Sequence, residues 1–213
     1  MFFESHASLK AFNSFGIAAR ASALLRVTDV DELRTALVHS SVVGLTPLLL
    51  GGGSNMVLTG DVKTPVIRIE IKGLRLVEES AKAWIVEAGA GETWHDLVSW
   101  TLAQGMPGLE NMALIPGSVG AAPVQNIGAY GVELQDRFES LTALDLQTGQ
   151  SFELNAAQCA FGYRDSVFKH VAAESGGFGL AGRAAITHVR LRLPKPWKPV
   201  LGYLDLERKC HET

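Results

Sequence analysis

Leu48-Leu49-Leu50-Gly51-Gly52-Gly53-Ser54-Asn55 decides how the chain is read. A short apolar run that ends in three consecutive glycines reads as a buried strand opening into a loop. Glycine takes positive φ without steric penalty and lets peptide N–H groups come close to an anion. A curl of successive N–H groups is an anion-binding concavity. A second loop of the same character follows at Ile115-Pro116-Gly117-Ser118-Val119-Gly120-Ala121-Ala122-Pro123. Two such loops point to a ligand that bears phosphate. The residues behind the first loop, Met56-Val57-Leu58 and then Val66 to Ile71, read as strand with no helical pattern. A Rossmann dinucleotide site needs G-x-G-x-x-G opening a helix, and a P-loop needs G-K-[ST]; neither is present.

Working outward, Ala23 to Val27 reads as a strand. Thr28-Asp29 supplies a cap for a helix carrying Val30, Leu33 and Leu37 on one face. Trp84 to Ala88 is a further strand. Glu92 to Gln104 reads as a helix with an apolar stripe of Trp94, Leu97, Val98 and Leu102, stopped by Gly105. Residues 106–131 show little periodicity and hold three prolines and five glycines, the signature of a functional loop. Ser140–Leu146 and Ser151–Leu154 form a hairpin around Gln147-Thr148-Gly149-Gln150. Asn155 caps a short helix through Cys159, and Ala184–Leu193 is the last strand before Pro194, Pro196 and Pro199. Ser175-Gly176-Gly177 marks residues 172–183 as a flexible insertion.

Composition narrows the function classes. The chain has 213 residues, 47% hydrophobic and 19% charged, with a net charge of −3. That is enough for one large domain or two lobes, and it offers no basic footprint for nucleic acid. No stretch reaches the roughly 20 apolar residues of a membrane span. The opening Met1 to His6 lacks the basic and apolar regions of a signal peptide. Two cysteines, Cys159 and Cys210, are not a disulfide framework. A cytoplasmic protein is expected. The histidines lack ligand-like spacing, so no metal is expected.

Five segments together resemble the UDP-N-acetylenolpyruvoylglucosamine reductase (MurB) family. They are Gly51–Asn55, Gly105-Met106-Pro107-Gly108-Leu109-Glu110, Ile115–Gly120, Pro123-Val124-Gln125-Asn126-Ile127-Gly128-Ala129-Tyr130-Gly131, and Phe161-Gly162-Tyr163-Arg164-Asp165-Ser166. Asn13-Ser14-Phe15-Gly16-Ile17 fits the same pattern. The resemblance implies an α+β fold: a two-lobed FAD-binding domain of the vanillyl-alcohol oxidase or PCMH type. The lobes are expected at 1–65 and 66–196. Residues 197–213, with Asp205 to Lys209 still fitting, would lead toward a third, substrate-binding domain absent from this chain. The family reaction is NADPH-dependent reduction of an enolpyruvyl ether on a UDP-sugar, giving UDP-N-acetylmuramate for peptidoglycan and hence for cell shape and division. The alternative is a non-catalytic FAD-binding module that retains the fold.

The same resemblance implies roles. Gly51, Gly52, Gly53, Ser54 and Asn55 would hold the FAD pyrophosphate. Ile115, Pro116, Gly117, Ser118, Gly120 and Ala121 would pass near the flavin ring, with Gln125, Asn126 and Ile127 at its polar edge. Arg164 would hold the substrate carboxylate; the competing reading is a surface ion pair between Arg164 and Asp165. Tyr163 would sit beside the substrate. Tyr203 would contact the UDP diphosphate, or else pack as a tail aromatic. The family's serine proton donor and distal glutamate have no counterpart that can be assigned.

Overall fold

The computed structural model describes residues 2–39, 42–172, 174, 179–203 and 208. Among these, two larger sheets and one two-stranded ribbon are built from strands whose order follows from where the chain places its apolar runs. The first sheet contains β1 (Phe2–Ser5), β2 (Ala23–Val27), β3 (Leu48–Leu50) and β4 (Val66–Ile69), in the order β1-β2-β4-β3. β2 and β3 both run parallel to β4, and β1 runs antiparallel to β2. α1 (Val30–Leu37) is the crossover that carries the chain from β2 to β3, which flank β4 on its two sides. The Asp29 carboxylate accepts from Glu32 N at 2.7 Å and starts this helix. Leu33 and Ala36 face Leu25, Val27 and Ile67, with Leu144 and Ala185 from the second sheet completing the core.

The second sheet is antiparallel throughout. Its strands are β5 (Leu74–Glu79), β6 (Ala83–Gly89), β9 (Phe138–Asp145), β10 (Ser151–Asn155) and β11 (Ala184–Pro194), ordered β10-β9-β11-β6-β5. Between β6 and β9 come α2 (Trp94–Ala103) and the two-residue strands β7 (Gly128–Ala129) and β8 (Val132–Glu133). Trp94, Leu97 and Val98 pack on Val86, Ala88, Val189 and Leu191, and the Trp94 indole N–H donates to Met112 O at 2.8 Å. α3 (Ala156–Cys159) follows β10 with a reciprocal cap: Asn155 Oδ1 accepts from Gln158 N, and Gln158 Oε1 accepts from Asn155 N.

Several expectations need correcting. Met56-Val57-Leu58 is not a strand; Val57 is exposed, and among the described residues no strand pairs with this segment. The helix stripe omits Leu102, which is 45% exposed, and includes Thr101, whose hydroxyl donates to Val98 O. β1 and β5 were not foreseen. β4 belongs to the first sheet, so sheet membership changes between Ile69 and Leu74. Residues 106–131 hold 3-10 turns at Glu110–Met112 and Val119–Gln125 and then β7, which pairs with β8 just beyond. The insertion reading at Ser175–Gly177 and the fit at Asp205–Glu207 fall outside the described residues.

Candidate functional site

The two glycine loops meet. β3 ends at Leu50, and the chain turns through Gly51–Asn55 against the second loop. An added Cβ on Gly52 would lie 3.1 Å from Gly117 Cα, and one on Gly51 would lie 2.3 Å from Ser118 Oγ. Gly53 has φ +64°, and a Cβ there would meet Phe12 O at 2.0 Å. The loop needs glycine at these positions because its neighbours are main chain and short side chains. It is braced from behind by Ser14 N donating to Gly53 O at 3.1 Å. Asn13, buried, ties its own segment by donating to Leu9 O and Ile17 O and accepting from Ile17 N.

The N–H groups are the telling feature. Among the described residues, none of the backbone amides of Gly51, Gly52, Gly53, Ser54 and Asn55 donates to a protein acceptor, and nor do those of Gly117 and Ser118. Folded chains pair nearly all such groups unless solvent or a ligand takes them. By contrast, the second loop is well anchored around this gap. Gly117 O accepts from Trp94 N, Val119 N donates to Glu92 O, and Gly120 N donates to Ala90 O. Rigid backing with unspent donors in front is the arrangement an anion needs.

The cleft beside these loops has two adjoining recesses. One, about 310 Å³, is lined by Gly51–Asn55, Pro116, Gly117, Ser118, Ala121, Gln125 and Ile127. The other, about 300 Å³, shares Leu48–Gly51, Ser118 and Ala121 and adds Gly120, Ile69, Phe168, Leu180, Ala184 and Ile186. It is apolar and suits a flat ring. Asn55 Nδ2 donates to Gln125 Oε1 at 3.2 Å and links the loops across the first recess. A third, polar hollow of about 580 Å³ reaches Gly51, Gly52, Gly117 and Ser118 from Arg26, Arg68 and Lys72. There Glu70 takes both Arg26 (2.9 Å) and Arg68 (2.9 Å). Burial pulls the Arg68 guanidinium below its ordinary pKa. The glycine cradle, the unspent amides and the paired recesses fit a ligand with a pyrophosphate between two ring systems.

Arg164 stands at a tight turn. Gly162 and Asp165 exchange backbone hydrogen bonds (3.1 and 3.2 Å), leaving Tyr163 and Arg164 as the tip. Arg164 takes a left-handed φ of +53°, a conformation that costs a side-chain-bearing residue roughly 1–2 kcal/mol. Its Nη2 donates to Gly128 O at 3.2 Å, and Lys169 Nζ donates to Arg164 O at 2.8 Å. The alternative Arg164–Asp165 pair is not formed. Asp165 pairs with His170 at 2.8 Å, and that hydrogen bond holds its carboxyl below the usual range. Tyr163 is 85% exposed, while Tyr203 packs edge-on against Tyr130 at 5.5 Å.

The structure thus gathers Gly51–Asn55, Pro116, Gly117, Ser118, Gly120, Ala121, Gln125 and Ile127 around one cleft. Ile115 instead packs against the core beneath the second sheet, and Asn126 is buried with its side-chain amide engaged elsewhere. Arg164, Tyr163 and Tyr203 lie beyond the recess walls. The residues sequence reasoning missed are Phe168, Leu180, Ala184 and Ile186, which come from separate segments and carry no local signal.

A two-lobed fold with such a cleft defines a flavin-dinucleotide-binding domain, and residues 21–155 match the family described as FAD binding domain. The chain belongs to that family. Its relatives narrow the kind. Over 204 residues it is 53% identical to the UDP-N-acetylenolpyruvoylglucosamine reductase of Azoarcus sp. (strain BH72), covering 94% of this chain and 56% of that one. Over 202 residues it is 52% identical to the reductase of the same name from Burkholderia mallei (strain NCTC 10229), with 95% and 56% covered. The structure of UDP-N-acetylenolpyruvylglucosamine reductase (MurB) from Thermus caldophilus superposes with a TM-score of 0.71 at 25% identity, covering all of this chain and 71% of that one. Physcomitrella patens BBE-like 1 shares the fold alone, with a TM-score of 0.59, 17% identity and 86% and 38% coverage. The chain therefore spans about half the length of the Azoarcus and Burkholderia reductases it matches. Among the described residues, no helix is long and apolar enough to cross a membrane.

Proposed function

We propose that this chain is the FAD-holding part of a UDP-N-acetylenolpyruvoylglucosamine reductase, acting in the cytoplasm in the supply of peptidoglycan precursor. The observation that carries the reading is the run of unspent amides at Gly51–Asn55, packed against Gly117 and Ser118 beside a two-recess cleft. When bound, FAD would supply the hydride chemistry, with NADPH as the source and the alkene of a UDP-sugar enolpyruvyl ether as the acceptor. Gly51–Asn55 and Gly117–Ser118 would take the pyrophosphate through backbone N–H groups. Ala121, with Gln125 and Ile127, would leave room for the ring and present polar groups to its edge. The Leu48, Ile69, Phe168 and Ile186 side chains would seat the second ring and exclude water.

Arg164 would meet the carboxylate of the enolpyruvyl group. Hydride addition to that alkene moves negative charge toward the carboxylate, and a fixed guanidinium stabilises it, best through two hydrogen bonds. Tyr163 and Tyr203, near the same end, would contact the UDP-sugar. We place the lobes on either side of the change of sheet after Ile69.

The test is NADPH oxidation by the FAD-loaded 213-residue chain with and without the enolpyruvyl ether of UDP-N-acetylglucosamine. Substrate-dependent oxidation supports a reductase. Because the chain spans 56% of its relatives' length, the second reading is an FAD-binding module without turnover. FAD binding with no substrate-dependent oxidation selects it, and failure to bind FAD rejects both.

A further inference from the structure

Asn126 follows Gln125, a cleft residue, yet its side chain turns the other way. It is fully buried (0% exposed) and sits at φ +45°. Asn126 Nδ2 donates to Gly162 O at 3.0 Å and to Glu133 Oε2 at 3.0 Å, and its Oδ1 accepts from Gln135 N at 3.0 Å. Both amide hydrogens are spent, so the side chain has no N–H left to offer a cofactor. Glu133 is itself held: its Oε2 accepts from Gln135 Nε2 at 2.6 Å, and Glu133 N donates to Asp136 Oδ2. The network therefore grips Gly162, the first residue of the turn that carries Arg164.

A second grip lies at the other end of that turn. Ser166, also 0% exposed, donates through Oγ to Val124 O at 2.7 Å. Val124 and Asn126 flank Gln125, and Gly162 and Ser166 bracket Tyr163–Asp165. Two part-buried bonds from buried side chains thus join the cleft loop to the arginine turn, one on each side of each tip. Each side chain also serves its own segment, Asn126 through Glu133 and Gln135 and Ser166 by accepting from Phe168 N at 3.3 Å, but the bonds to Gly162 and Val124 span 36 and 42 positions and tie separate segments together.

We propose that Asn126 and Ser166 are positioning residues that clamp the Gly162–Asp165 turn to the cleft loop and so fix where Arg164 stands for the carboxylate of an enolpyruvyl ligand. The proposal deepens the reading of Arg164 given above and rests on it. The clamp also accounts for the left-handed φ of Arg164: a strained conformer persists when its surroundings over-determine it. A carboxylate gains from a guanidinium already held in place, since ordering it on binding costs affinity.

Two variants, Asn126→Ala and Ser166→Ala, test this on the FAD-loaded chain. Ser166→Ala is the smaller change and guards against a misfolded Asn126→Ala. Hydrogen exchange reads the clamp without reference to function: Gly162 and Asp165 amides are expected to exchange about tenfold faster, with the β11 amides unchanged. Unchanged exchange at the turn in both variants overturns the clamp. Next, the flavin absorbance change is titrated with the enolpyruvyl ether of UDP-N-acetylglucosamine. Each variant is expected to weaken that ligand about tenfold, with FAD affinity held within about threefold. In an Arg164→Met background, the same substitutions are expected to add nothing, because the group they position is gone. Full additivity overturns the positioning role, as does a tenfold loss of FAD affinity, which would make Asn126 a cofactor residue. If Arg164→Met alone leaves ligand affinity unchanged, the reading of Arg164 falls and positioning with it. The exchange data then still report whether the clamp exists, so the two failures are told apart.

Discussion

Replacing Gly53 by alanine probes the cradle with one methyl group. Gly53 sits at φ +64°, and its new Cβ would lie 2.0 Å from Phe12 O, 2.9 Å from Phe12 C and 3.0 Å from Asn13 Cα. The left-handed conformation costs an alanine roughly 1–2 kcal/mol. The clash is with main chain, held in place by Asn13's bonds to Leu9 O and Ile17 O. The glycine loop must therefore move, by about 1 Å, to restore ordinary contact. Total destabilisation of about 2–4 kcal/mol leaves a fold of ordinary stability intact. The effect on FAD is larger, because the moved residues are the ones whose amides await phosphate. Losing two N–H bonds to a charged group, at about 1.5 kcal/mol each or more, weakens FAD by at least about 100-fold. Gly60→Ala is the control, with nothing within 4 Å of its new Cβ. Titration of FAD fluorescence at fixed ionic strength measures both, with thermal unfolding of the apo forms alongside. If Gly53→Ala stays folded and binds FAD within threefold of the parent chain, the cradle is not where the pyrophosphate sits.

Three further outcomes follow. Arg164→Gly relieves a left-handed residue at the cost of backbone entropy, so calorimetry should show stability unchanged or raised by about 0.5 kcal/mol; a loss above about 1 kcal/mol would contradict the strain argument. Burial pushes the Glu87 carboxyl up, but hydrogen bonds from Arg190 (2.7 Å) and Arg75 outweigh it and leave its pKa below 4.5. A depressed folded pKa means this contribution is whole above the unfolded value and is lost as pH falls through the folded one; Glu87→Gln should flatten that part of the acid unfolding profile and cost about 1 kcal/mol at neutral pH, since Arg75 is largely exposed. Burial pushes the Cys159 thiol up to about 12, so iodoacetamide at pH 8 should label Cys159 only on unfolding, as peptide mass mapping would show.

What the sequence could reveal depended on whether the cause was local. β2, α1 and the β9–β10 hairpin were readable because caps and alternation lie within a few residues, as with Asp29 to Glu32 and Asn155 to Gln158. β5 was not, because a register shift between Leu76 and Glu78 breaks its alternation and leaves Leu76 and Val77 equally exposed at the sheet edge. Met56–Leu58 misled for the opposite reason: apolar side chains without a neighbouring strand do not make one. The glycine loops announced themselves, since positive φ and close approach demand glycine on the spot. The apolar recess did not, because Phe168, Leu180, Ala184 and Ile186 converge only in the folded chain. The resemblance puts Asn126 at the polar edge of the ring, and no local signal shows that its side chain bonds inward to partners as far off as Gly162.

The most direct check follows the backbone amides themselves. In amide NMR spectra of the chain titrated with FAD, the signals of Gly51–Asn55 and of Gly117–Ser118 should shift together and saturate at one equivalent. Movement of one loop without the other, or of neither while FAD binds elsewhere, would contradict a single flavin held between them.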